Sequence, residues 1–84
     1  MGGIKWDVHP YFKVSRQWHP EVTLENAVEA LEKIDFRVVQ PNGRIRRWGY
    51  VEELTHYVRV ILLADEETIF NAFIDRDYPR RSEK

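Results

Sequence analysis

The chain has 84 residues, 43% hydrophobic and 32% charged, with four Gly and four Pro, which describes one small globular domain and excludes a disordered, collagen-like or coiled-coil protein. It has no cysteine, so disulfides and thiolate metal sites are excluded. No apolar run approaches the ~18 residues of a membrane span and no signal peptide is visible, so a cytoplasmic protein without a membrane partner is expected.

Residues 4–8 (IKWDV) alternate apolar and polar and predict a short strand or extended arm. His9-Pro10 opens a short helix over 11–18, with Tyr11, Val14 and Trp18 on one face, and His19-Pro20 ends it. Thr23 is the N-cap of an amphipathic helix in which Leu24, Val28, Leu31 and Ile34 recur at helical steps. The period then changes to 2. Residues 36–40 predict a strand, Asn42-Gly43 a two-residue hairpin turn, and 44–51, 57–63 and 68–75 three further strands. The expected fold is α+β, with one or two N-terminal helices on a four-stranded antiparallel meander. A single domain spans 1–84, with its core over about 4–76 and a fraying tail at 77–84.

A net charge of −1 hides a strong asymmetry. Residues 20–35 hold five acids against one base, whereas 36–50 hold four arginines and no acid or lysine. Arginine forks suit bidentate phosphate contacts and stacking. With a two-residue turn, Phe36, Val38, Gln40, Ile45, Gly49 and Val51 share a core face on which Arg47 is the exception. The other face carries Arg37, Val39, Arg44, Arg46, Trp48 and Tyr50, with Arg37 opposite Trp48 in cation–π range. Tyr57 and Arg59 on the third strand are placed beside Arg46 and Trp48. Such a basic, aromatic surface suits single-stranded RNA, whose bases stack while guanidinium groups hold phosphates. The alternative is a solvated sheet whose aromatics cover apolar surface, and the charge asymmetry favours nucleic acid over it.

His9, His19 and His56 form no metal-ligand spacing, and P-loop, GxGxxG and nucleophile-elbow sequences are absent, so no cofactor or metal is expected. Metal-independent RNA cleavage needs no compact motif. The ribose 2′-OH attacks the neighbouring phosphate, assisted by a base, an acid and cations. His9 and His56 are the candidates for proton transfer, and Arg46, Arg59 and Arg76 for charge. Each has a structural alternative: His9 as a helix-opening residue, His56 as a strand start, and Arg76 paired with Asp75 or Asp77.

His9 with Phe12 and Arg16 precedes an acidic helix over 22–34, followed by Gly43-Arg44-Ile45-Arg46-Arg47-Trp48, Tyr57-Val58-Arg59-Val60 and TIFNAFIDR over 68–76. This order resembles the small toxin-like domains of the barnase–colicin–RelE-like ribonuclease group, including BrnT-like and related short bacterial proteins. The resemblance covers residues 6–76. It implies helices followed by a four-stranded antiparallel sheet. It also implies roles for His9 and Arg16 from the helical part, Arg46 and Arg59 from the middle strands, and Asn71 with the Asp75-Arg76 pair from the last. Asn71 stands where many relatives carry Thr or Ser. A cytoplasmic bacterial or phage toxin, neutralised by an antitoxin over the basic face, is implied as well. Three functions stay open: a metal-independent endoribonuclease of a toxin–antitoxin system, a module that binds RNA or the ribosome without cleavage, and a protein-interaction domain that forms a homodimer.

Overall fold

The computed structural model describes residues 6–78, as β1 (Asp7–Val8), α1 (Pro10–Ser15), α2 (Leu24–Glu32), β2 (Ile34–Val39), β3 (Ile45–Val51), β4 (His56–Leu62) and β5 (Thr68–Ile74). The α+β class is as expected, but the sheet is not a four-stranded antiparallel meander. It has five strands in the order β1-β5-β4-β3-β2, antiparallel from β5 to β2, with β1 parallel to β5. The added strand pairs Val8 with Ile69, and the His9 amide donates to the Ile69 carbonyl at 2.9 Å. Two residues are too few to show an alternation that reveals their partner. The start of the predicted run over 4–8 and the tail beyond Tyr78 lie outside the described residues. No described helix is long and apolar enough to cross a membrane.

Pro10 opens α1, where its missing N–H costs nothing, and His9 caps the helix by accepting from the Tyr11 amide through Nδ1 at 3.0 Å. The helix ends at Ser15, short of the expected Trp18, and buries Phe12 and Ser15. Tyr11, Val14 and Trp18 face outward, and Trp18 is 61% exposed.

Thr23 caps α2 as its sequence predicts. Its hydroxyl accepts from the Asn26 amide, and Asn26 Oδ1 accepts from the Thr23 amide in return. The helix stops at Glu32, and Ile34 starts β2, so the buried stripe is Asn26, Ala27, Ala30 and Leu31 instead of the one through Leu24 and Ile34. The reason lies across the interface. The Ala30 carbonyl fills the space that any Cβ on Gly49 would need, so small residues on both sides let α2 sit close against β3. Val51, Val58, Val60, Leu62, Ile69 and Ala72 complete the core with Phe12, Val22, Ala27 and Leu31.

The hairpin joining β2 and β3 overturns the predicted register. The Gly43 amide donates to the Gln40 carbonyl at 2.9 Å, and the Gln40 amide donates to the Arg44 carbonyl at 2.8 Å. The loop therefore holds residues 41–43, with Gly43 at φ 91°. A two-residue turn over Asn42-Gly43 would need an N–H from Pro41, which has none. The three-residue alternative uses Pro41 at its favoured turn position and Gly43 in the left-handed region. Phe36 then faces Trp48 and Arg37 faces Arg47, one residue off the expected pairing. A one-residue slip sends each β2 side chain to the opposite face. Arg37 and Val39 consequently leave the face of Trp48, and Phe36 and Val38 join it.

Candidate nucleic-acid interface

The strand registers build the second sheet face, opposite the α2-covered core, as cross-strand rows. One row runs Phe36–Trp48–Arg59–Phe73, and the next runs Val38–Arg46–Ile61–Asn71. Tyr50 lies directly across from Tyr57, with the rings edge-to-face at 5.3 Å. The expected placement of Tyr57 and Arg59 with Arg46 and Trp48 therefore holds, with Arg59 directly opposite Trp48. Phe36 and Tyr50 are 45% and 39% exposed.

Asp75 anchors this face. Its Oδ2 accepts from Trp48 Nε1 at 2.9 Å and from Arg59 Nη2 and Nε at 3.0 and 3.2 Å, and its Oδ1 accepts from the Asp77 amide at 3.1 Å. Burial by itself would push the Asp75 carboxyl up. The Trp48 hydrogen bond, the Arg59 charge and the Asp77 amide outweigh burial and hold it below the usual carboxylate range. Arg59 is further fixed between rings, 4.9 Å from the Phe73 centroid and 5.7 Å from that of Trp48. Trp48 is only 4% exposed, so the indole expected on an open surface is covered.

Arg44 and Arg46 are differently placed. Arg44 lies over the Phe70 ring at 4.2 Å, and Tyr11 stacks on the same ring at 4.8 Å. Neither guanidinium forms a hydrogen bond or ion pair among the described residues, and Arg46 Nε is shut off from solvent without an acceptor. The other two arginines of the basic segment, Arg37 and Arg47, are engaged. Arg37 binds Glu66 through Nε and Nη2 at 2.6 and 2.8 Å on the helix side of the sheet, where Arg47 reaches the same carboxylate at 3.5 Å. The Arg37 hydrogen bond is the main cause of a depressed Glu66 carboxyl. The expected Arg37–Trp48 contact is thus replaced by Arg37–Glu66, and the cation beside Trp48 is Arg59.

Arg16 serves the fold. It donates to the carbonyls of Phe12 and His19 at 3.1 Å each, to Ala72 at 2.8 Å and to Val22, and to Asn71 Oδ1 at 3.0 Å. Asn71, a site residue by the resemblance alone, has its Oδ1 occupied in holding Arg16 and the neighbouring Ala72 amide. His9 is engaged at Nδ1 as the helix cap and lies against Phe70 at 5.0 Å. His56 starts β4, with Nδ1 2.9 Å from the Leu54 carbonyl. Arg76 is exposed, and the carboxylate of Asp75 is taken by Arg59. No hydrogen bond or ion pair joins any two of His9, Arg46, Arg59, Asn71 and Arg76. Sequence reasoning missed Phe36, Phe73 and Tyr78 as members of this face. The alternation from Asn71 through Phe73 to Asp75 carried that signal for β5. Comparisons with protein-family models, curated proteins and solved structures give no match to the chain.

Proposed function

We propose that the second sheet face binds single-stranded RNA. The observation that carries this reading is Arg46, a guanidinium with no carboxylate partner among the described residues, in the row adjoining Phe36, Trp48, Arg59 and Phe73. With no carboxylate to neutralise it among the described residues, the Arg46 charge is available to a phosphate oxygen. Arg44, free of carboxylates, extends the same cationic strip, while half-exposed rings offer stacking surface.

Binding is favoured over cleavage. Three candidates for chemistry are spoken for: His9 Nδ1 by the helix cap, Asn71 by Arg16, and Arg59 by Asp75. The test is fluorescence anisotropy with labelled single-stranded RNA across a salt series, run in EDTA, with the same samples resolved on a gel. The parent is expected to bind with affinity falling as salt rises. Arg46→Ala should weaken binding about tenfold and reduce the salt slope by about one. Absence of binding at low salt, or an Arg46→Ala variant that matches the parent, refutes the reading. RNA fragments with 2′,3′-cyclic phosphate ends, lost in Arg59→Ala, would instead establish the face as a ribonuclease site.

A further inference from the structure

We infer that Phe36, Trp48 and Tyr57 form a nucleobase subsite that the protein's own Tyr78 occupies until a base displaces it, an inference that rests on the RNA-binding reading. Tyr78 lies beyond β5, outside any helix or strand, and its ring is enclosed by three others. It is near-parallel to Trp48, with centroids 5.4 Å apart at 18°, and to Phe36, 6.2 Å apart at 25°. Tyr57 meets it edge-on at 4.7 Å and 68°. A flat ring bounded by stacking partners and closed by an edge contact is the arrangement in which proteins hold single-stranded bases.

The surroundings fit a base better than a sealed core. Phe36 is 45% exposed and Tyr50, next to Tyr57, is 39% exposed, so the cage opens to solvent on one side. Its floor is rigid: Asp75 fixes the Trp48 indole by a hydrogen bond and Arg59 by an ion pair. Arg46 stands two residues along β3 from Trp48 on the same face, about 6.7 Å away along the strand. That is the reach from a stacked base to its own phosphate. The chain thus offers a ring site with a cation one nucleotide-length away, and fills the ring site itself. Any base that enters competes with the Tyr78 stacking.

The experiment measures the affinity of the full chain for short labelled single-stranded RNA at low salt, for the parent, Tyr78→Ala and Tyr78→Phe, with circular dichroism confirming the fold of each. Removing the competitor should tighten binding about threefold to tenfold in Tyr78→Ala, the range set by one aromatic pair. Tyr78→Phe keeps the ring and should match the parent. A folded Tyr78→Ala that binds equally or more weakly overturns the inference and leaves the RNA reading standing. If parent and both variants fail to bind, both fall. Should Tyr78→Ala not fold, fluorotyrosine-labelled parent gives the answer, with Tyr78→Phe identifying the resonance. Saturating RNA should shift the Tyr78 signal to that of an exposed tyrosine, and an unmoved signal overturns the inference.

Discussion

The indole of Trp48 on β3 and the carboxylate of Asp75 just past β5 meet across the intervening strand, Nε1 to Oδ2 at 2.9 Å. Arg59 from that intervening strand shares the same oxygen at 3.0 Å, so one buried carboxylate ties three strands together on the face opposite the main core.

Asp75 therefore couples stability to pH. Its carboxyl titrates below the ordinary value in the folded chain, so the folded state binds its proton more weakly than the unfolded state does. The associated stability is fully present above the unfolded value, near pH ~4, and is lost as pH falls through the folded value. Urea unfolding followed from neutral to acid pH should show this acid limb in the parent and a flatter one in Asp75→Asn, which keeps an acceptor for Trp48. Asp75→Ala should cost about 3 kcal/mol at neutral pH, because it strands the indole N–H and a largely buried guanidinium.

Two glycines should respond to alanine for different reasons. At Gly49 the added methyl would collide with the Ala30 backbone, forcing α2 away from β3. Gly49→Ala is expected to lose about 3 kcal/mol, the upper end of overpacking, with a lowered urea midpoint. At Gly43 there is room, with Ala64 Cβ 3.6 Å away, but φ is +91°. Gly43→Ala should lose only about 1 kcal/mol, a backbone cost without repacking.

The helix cap at Thr23, the four antiparallel strands and the in–out alternation of β3 and β4 were legible because each rests on local periodicity or capping chemistry. The register of β2 was not. Asn42-Gly43 signals a hairpin strongly, yet Pro41 decides which hairpin, and the missing N–H outweighs the dipeptide. From that single residue followed the wrong face for Arg37 and the absence of Phe36 from the expected surface. The burial of Trp48 and the engagement of Arg16 and Asn71 depend on contacts between residues far apart in sequence, which periodicity does not report.

Arg16 should behave as a structural residue. Its guanidinium satisfies carbonyls on three segments at once, and burial lowers its proton affinity more than the nearby Glu21 raises it. Arg16→Ala should lose about 3 kcal/mol by leaving several carbonyls without donors. Its RNA affinity, measured at a temperature where both proteins are folded, should stay within about twofold of the parent. A large loss of affinity without loss of stability would return Arg16 to the binding surface.

Arg37 provides the sharpest separation of the two sheet faces. It lies in the same basic segment as Arg46, and composition alone treats the two alike. Register places them on opposite sides: Arg37 across from Arg47 and bound to Glu66, Arg46 across from Val38 on the aromatic face. Removing a cation already neutralised on the far face should leave RNA affinity and its salt slope unchanged, whereas removing Arg46 should lower both. Anisotropy titrations of Arg37→Ala and Arg46→Ala in parallel make the comparison at constant net charge. Equal losses would mean that RNA responds to the overall field of the protein, and the specific face would no longer be needed to explain binding.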